Sequence, residues 1–299
     1  MPRVSIGLPV YNGEDFVAEA IEWLLSQTYE DFELIILDNA STDRTAEICR
    51  DYARRDSRIR YHRNAKNIGP CGNFNEAFHL ARGEYFKWAA HDDCCAPNYL
   101  RRCVEGLDGN QDAALCHSLA RIIDDEGKPV KDYDSGMQRL TSPRVKERFA
   151  ELLVVEHACF EVFGLIRRDV LEKTSLIESY MGSDRLLLAE LSLYGKLLTV
   201  PERLFLSRDH SDRPVRIPSE ERAVTWCHPN LKTKFAFPHW RCGAKYARSI
   251  TRAPLTLRER TRCLGHVFSW TLRNWRVLRG DLRIAAERLT GISLRSRCG

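Results

Sequence analysis

Two rhythms of apolar residues alternate along the first third of the chain. Arg3 to Leu8 is a short apolar run ending at Pro9, and Phe32 to Leu37 is another, closed by Asp38. Unbroken apolar runs of this length read as strands covered on both faces. Between them Phe16, Val17, Ala20, Ile21, Leu24 and Leu25 recur at the spacing of a helix with one face on a core. Ser41, Thr42 and Asp43 then offer N-caps for a second helix to about Arg55, followed by a strand over Ile59–His62. A third helix is expected over Asn73–Arg82, ended by Gly83, and a fourth strand over Glu84–Ala89 runs into His91-Asp92-Asp93. This alternation predicts an α/β fold: a mostly parallel, Rossmann-like sheet with helices on both faces.

The second half is less regular. Asn98–Leu107 and Ser183–Tyr194 read as helices, and Ala113–Ile123, Phe160–Ile166 and Leu197–Ser207 as strands. Asp124 to Gly127 reads as a turn and Lys131–Thr141 as a polar loop; no internal repeat is present. From Leu257 on, a helical wheel places Leu257, Leu264, Phe268, Trp275 and Leu278 on one side and Arg258, Arg262, His266, Arg273 and Arg276 on the other. Three readings are open for residues 257–283: the helix lies on a membrane surface, its apolar side packs on the rest of the protein or on a second subunit, or its basic side meets nucleic acid.

Composition narrows the class. With 299 residues, 43% hydrophobic and 29% charged, the chain is long enough to bury a core without disulfides or metal. No run approaches the roughly 20 apolar residues that span a bilayer, and the first residues lack a signal-peptide pattern. A cytoplasmic protein is expected, peripheral on the cytoplasmic face of a membrane if the basic helix meets lipid. The 11 cysteines are odd in number and lack a C-x-x-C pair, which favours scattered reduced thiols over a zinc site or a disulfide framework. Charge is unevenly placed: residues 226–299 hold 16 Lys and Arg against 3 Asp and Glu, leaving 30 against 38 over residues 1–225. An acidic body over 1–222, in halves 1–110 and 111–222, and a basic helical extension over 223–299 are the expected units.

Chemistry concentrates at strand ends, where parallel sheets bind ligands. Three such ends carry polar residues: Pro9-Val10-Tyr11-Asn12, Asp38 to Asp43, and His91-Asp92-Asp93. Adjacent carboxylates persist where a hard divalent cation or a substrate hydroxyl neutralises them, or where one caps the next helix. Asp38 suits a base or ribose donor, or a helix cap; Tyr11 suits stacking on a base, or covers the sheet end. Neither G-x-G-x-x-G nor a P-loop is present, which excludes both of those phosphate cradles. Gly69 to Gly72 reads as a turn or as backbone facing a substrate.

Together these stretches resemble the family 2 glycosyltransferases, which have the GT-A fold and bind nucleotide-diphosphate sugars. The likeness is carried by Val4–Asn12, Leu24–Leu34, Asp38–Asp43 and Gly83–Trp88 followed by the acidic pair, and covers about residues 1–210. It implies that residues 1–110 bind the nucleotide sugar and 111–222 the acceptor. It implies further that Pro9 and Tyr11 frame the nucleobase, Asp38 reads it, Asp92 lies near the ribose, and Asp93 ligates a divalent cation, Mn²⁺ or Mg²⁺, as in a D-x-D motif. His91 departs from the pattern, standing where many members carry another acid. Gly182-Ser183-Asp184-Arg185 matches the segment bearing the general base of inverting members, which makes Asp184 the expected base. Arg208 and His210 resemble a segment that closes over the diphosphate, with His210 able to reach the metal. His157 and Glu161 are candidates to face the acceptor, or are ordinary partly buried polar residues.

The expected activity is therefore an inverting, metal-dependent transfer of a sugar to a glycan or lipid-linked acceptor in envelope or polysaccharide synthesis. A sugar-nucleotide-forming nucleotidyltransferase is a second reading; it normally carries a basic glycine loop after the first strand, where this chain has the acidic Tyr11-Asn12-Gly13-Glu14-Asp15. A nucleic-acid-binding protein acting through the basic tail is a third, opposed by the acidic body and the lack of a recognisable motif.

Overall fold

The computed structural model describes residues 1–180, 182–210 and 237–290. The proposed boundary at 222/223 lies outside them. Strands β1 (Val4–Val10), β2 (Phe32–Asp38), β3 (Ile59–Arg63) and β4 (Tyr85–Trp88) alternate with α1 (Val17–Leu25), α2 (Thr45–Arg55) and α3 (Pro70–His79). They pair in parallel in the order β3-β2-β1-β4, as the alternation predicts. The chain therefore reverses its direction of travel across the sheet at β1, which makes the end of β1 the switch point.

The second half makes the sheet mixed. After β5 (Cys94–Cys95) and α4 (Tyr99–Gly109), the chain forms β6 (Ala113–Ile123), β7 (Pro129–Tyr133), α5 (Val145–Val154), β8 (Leu165–Arg167), α6 (Arg168–Leu171), α7 (Ser183–Tyr194) and β9 (Lys196–Arg208). β6 and β9 are parallel, whereas β8 is antiparallel to β4 and β6, β5 to β9, and β7 to β6. Three local expectations are corrected. Phe160–Phe163 is a 3-10 turn, with a strand only over Leu165–Arg167. Pro129–Tyr133 is an edge strand reaching into the expected loop, and its alternation is masked because four of its five residues are exposed. Gly69, at φ +80°, leads straight into α3, whose first residue is Pro70; Pro is tolerated there because a first-turn N–H has no partner inside the helix.

Both sheet faces are covered, and consecutive residues divide between them. Ile6, Leu34, Ile36 and Tyr85 pack with α1 and α4, whereas Ile35 and Phe86 pack with α3, α5 and α7. The second core continues into α8 (Pro238–Arg252) and α9 (Leu257–Arg273) through Tyr246, Ile250, Cys263, Val267 and Trp270. Tyr246 meets Phe149 and Trp270 edge-on, at ring separations of 6.1 and 5.6 Å. A last helix, α10 (Trp275–Thr290), begins after a break at Asn274, and its Asp281 accepts from the backbone N–H and Nδ1 of His239 in the first turn of α8. The basic extension is thus built onto the body. Among the described residues no two cysteines are joined by a disulfide.

Beneath the sheet, Glu33 accepts from Ser5 Oγ (2.6 Å), Arg60 Nη1 (2.6 Å) and the Arg82 N–H (3.0 Å). Burial alone would raise its carboxyl, but these donors outweigh burial and hold it below its ordinary 4.5. A carboxyl lowered in the folded state adds stability that is complete above its unfolded pKa and fades as pH falls through the folded one. Wild-type stability to urea should therefore drop more steeply below about pH 4.5 than that of Glu33→Gln. Equal slopes would remove Glu33 from the acid response.

Candidate functional site

The ends of β1, β2 and β3 are tied together by short polar side chains. Asn12 and Ala40 take positive φ (49° and 62°), and their loops interlock: the Asn12 N–H donates to Ser41 Oγ (3.0 Å), the Thr42 N–H to Asn12 Oδ1 (2.8 Å), and the Gly13 N–H to Thr45 Oγ1 (2.8 Å). Asp43, one of the expected caps, accepts from the Thr45 N–H at the start of α2 (3.1 Å). Asn39 Nδ2 and Asn64 Nδ2 extend the net to Asn67, Asn73 and the Gly69 carbonyl.

Asp38 is fully buried at the end of β2. Its Oδ1 accepts from the Ser41 N–H, and its Oδ2 from Tyr61 Oη and Arg63 Nη1, each at 2.8 Å. Tyr61 and Arg63 come from β3 and were not legible as site residues, since a partner carboxylate on the preceding strand, 23 and 25 positions away, leaves no local signal. Pro9 is buried within β1, just past the last β1–β4 pair, Gly7 with Trp88, so its missing N–H costs no ladder bond. Tyr11 is the large side chain exposed at this edge, at 44%.

The acidic pair follows β4 and faces the same edge. Gly13 abuts His91: a Cβ at Gly13 would lie 2.5 Å from His91 Cδ2, so only glycine lets the β1 loop approach the β4 loop this closely. The end of β9 closes over the pair. The Arg208 N–H donates to Asp93 Oδ1 (2.9 Å), and His210 Nε2 lies 2.9 Å from Asp92 Oδ2. Burial would raise the Asp92 carboxyl, but His91 and His210 hold it below the usual carboxylate range; burial pushes His91 down.

Arg208 takes an inward position rather than reaching out of the sheet end. Its guanidinium is buried and donates to the carbonyls of Asp92, Asp124 and Asp125 at 2.8–3.1 Å and to Glu19 Oε2 at 2.7 Å, with Phe16 beneath it. Glu19, on α1, and Phe16, just before it, are missed by the sequence reading because they read as one exposed and one core position of a helix.

Asp184 is the second residue of α7, with Oδ1 accepting from the Arg185 N–H (2.8 Å). Against it lies Cys159, whose thiol burial pushes up, with Asp184 adding to the rise. Cys159 adopts φ +58° between His157 and Glu161. The side chains of both are covered, with His157 Nδ1 3.5 Å from Glu161 Oε2, and among the described residues neither His157 Nε2 nor Glu161 Oε2 has a hydrogen-bond partner. The Glu161 carboxyl, which burial would raise, is held low by His157 and His117. Tyr133 of β7 pins this loop by accepting from the Ala158 N–H (2.7 Å), and Phe160 and Phe163 pack on Phe205 near the end of β9. One loop thus links the start of α7 with the strand that closes over the acidic pair.

Metal ligation was expected at Asp93 and His210; His210 stands at the acidic pair, with Nε2 2.9 Å from Asp92 Oδ2. Among the described residues no group of three His, Cys, Asp or Glu side chains is arranged to hold a metal ion. One carboxylate and one imidazole suit a cation only where it takes its remaining ligands from a diphosphate and water.

A sequence model described as Glycosyl transferase family 2 matches residues 5–175, more than half of the chain. The chain belongs to the family 2 glycosyl transferases. Among curated relatives of this family 2 chain, the uncharacterized glycosyltransferase MJ1057 of Methanocaldococcus jannaschii is 28% identical over 184 residues, 61% of each chain. The uncharacterized glycosyltransferase EpsJ of Bacillus subtilis is 31% identical over 177 residues, 59% of this chain and 51% of its own. The chain thus spans about half to three fifths of these two relatives. Among solved structures, S. aureus TarS 1-349 in complex with UDP superimposes with TM-score 0.65 at 15% identity, covering 96% of this chain and 81% of that one. The mannosyltransferase PcManGT of Pyrobaculum calidifontis, in complex with GDP-Man and Mn²⁺, does so with TM-score 0.50 at 16% identity, covering 96% and 87%. The fold is the GT-A type, with a helical C-terminal extension.

Proposed function

We propose that this family 2 chain moves a sugar, with inversion, from a nucleotide-diphosphate donor to a hydroxyl of a glycan or lipid-linked acceptor in envelope or polysaccharide synthesis. The observation that carries the reading is the closure of β9 over Asp92 and Asp93 at the sheet's switch point, where Tyr11 is exposed and Asp38 anchors the loops. Neighbours crystallised with UDP, UDP-GlcNAc, or GDP-Man and Mn²⁺ support a donor of that class.

In this reading Tyr11 stacks on the base beside Pro9. Asp38 accepts a base N–H on a remaining lone pair or in place of Arg63. Asp92 would lie by the ribose, and Asp93 with His210 would hold Mn²⁺ or Mg²⁺. When bound, the cation supplies charge neutralisation for the leaving diphosphate. The acceptor lies beside the His157–Glu161 loop, its hydroxyl oriented toward Asp184. The acceptor oxygen attacks the anomeric carbon, the bond to the diphosphate breaks, and Asp184 takes the hydroxyl proton. Arg208 positions the acidic loop without touching substrate.

Calorimetric titration with UDP, GDP and dTDP, with and without Mn²⁺, tests this. One nucleotide should bind in a metal-dependent manner, and Asp93→Ala should weaken it by at least about a hundredfold, the loss expected when a charge-neutralising ion worth several kcal/mol is removed. Equal metal-dependent binding by wild type and variant would remove Asp93 from the site. Release of pyrophosphate from a nucleoside triphosphate and a sugar phosphate would favour a nucleotidyltransferase instead.

A further inference from the structure

The helix α9 has two apolar stripes, and the protein uses only one of them. Cys263, Val267 and Trp270 are buried against the body. Leu257, Leu264, Phe268 and Leu272 occupy a separate stripe and are 81, 40, 65 and 57% exposed. On a wheel of about 100° per residue the two stripes are centred well over 100° apart, so packing on the body cannot cover the second. This also corrects the expected side: Leu278, placed with the outward residues by a continuous wheel, is 4% exposed because the helix breaks at Asn274 and α10 takes a new course.

A row of exposed arginines, Arg258, Arg262 and Arg273, forms the other flank of the side of α9 turned away from the body: on the same wheel it is centred roughly 120° from the outward stripe and about as far from the buried one. The arrangement repeats on α10, where the half-exposed Trp275 and Leu282 neighbour Arg279 and Arg283. Few acids oppose them. Between Leu257 and Arg279 the one acid is Glu259, which closes the capping box with Thr256.

We infer that this face docks on an anionic bilayer surface, with the leucine and phenylalanine stripe in the acyl boundary and the arginine row at the phosphates. Charge decides between occupants. A second copy meeting this face through a two-fold axis would bring arginine row against arginine row, and cores of protein interfaces are poor in such charge. An anionic lipid surface satisfies both stripes at once. Among the described residues no helix is long and apolar enough to cross a membrane, so the contact is made from one side.

The test is co-sedimentation of the full chain with vesicles of phosphatidylcholine alone and of phosphatidylcholine with phosphatidylglycerol. Binding should need the anionic lipid and weaken as salt rises. Each arginine contributes about fivefold, so Arg258→Gln/Arg262→Gln/Arg273→Gln should bind on the order of 100-fold more weakly. Leu264→Asp/Phe268→Asp should lose binding while circular dichroism and nucleotide affinity stay those of wild type. The inference is overturned if the folded chain ignores anionic vesicles, if both variants bind as wild type does, or if the chain is a dimer in solution that Leu264→Asp/Phe268→Asp converts to a monomer without vesicle binding having been seen. None of these readouts depends on sugar transfer, so failure here and failure of the proposed reaction are separable.

Discussion

Asp184→Asn should bind the donor nucleotide as wild type does and transfer sugar about 10²–10⁴-fold more slowly, the range contributed by a positioned general base. The substitution is nearly isosteric, and Asn Oδ1 can still accept from the Arg185 N–H that now meets Asp184 Oδ1 at 2.8 Å. The helix behind it is buried from Leu186 to Leu193, so the backbone carrying residue 184 is held whatever the side chain. What the variant loses is the capacity to take a proton. Initial rates with a saturating donor, alongside calorimetric nucleotide affinity, check this. Transfer at the wild-type rate would assign the proton to another group, and a parallel loss of nucleotide affinity would make Asp184 part of the donor site.

Arg208→Met should unfold about 3–5 kcal/mol more easily, the usual cost of breaking a buried charged network from one side. The main-chain carbonyls of Asp92 and Asp125 lose the guanidinium as donor, and that of Asp124 keeps only the Gly127 N–H (3.0 Å). Glu19 contributes less to this cost, because its side chain is 45% exposed and water can replace the guanidinium. The backbone N–H of residue 208 still reaches Asp93, so the acidic pair persists on a looser loop. Nucleotide affinity should fall with stability, whereas Glu19→Gln should lower stability by about 1 kcal/mol or less. Urea unfolding and calorimetry measure both quantities. Wild-type stability in Arg208→Met would show that the carbonyls find other donors.

The two variants separate what local sequence carries from what contact carries. Strands β1, β2 and β4 and helix α1 were legible because a buried strand must be apolar throughout and a half-buried helix must repeat every three or four residues. The acidic pair and Asp184 were legible as candidates because they sit where such elements begin or end. β7 was hidden because an exposed edge strand has no burial pattern to display. The segment at Phe160 was mistaken for a strand because an apolar run of this length is compatible with either a strand or a tight turn. For α9 the wheel found the apolar stripe at Leu257, Leu264 and Phe268, while the stripe that packs, Cys263, Val267 and Trp270, was not separated from it.

By itself, then, the sequence determined the parallel βα alternation, the family, and the strand ends at which chemistry gathers, since each of these follows from periodicity and from residue types close together along the chain. Only the tertiary structure decided which partners those residues have. Asp38 is held by Tyr61 and Arg63, Asp92 by His210, and Arg208 faces inward to Glu19 across 189 positions of sequence. Such pairings depend on how strands order themselves in the sheet and on which face of each helix the core accepts, and no local pattern of residues encodes either.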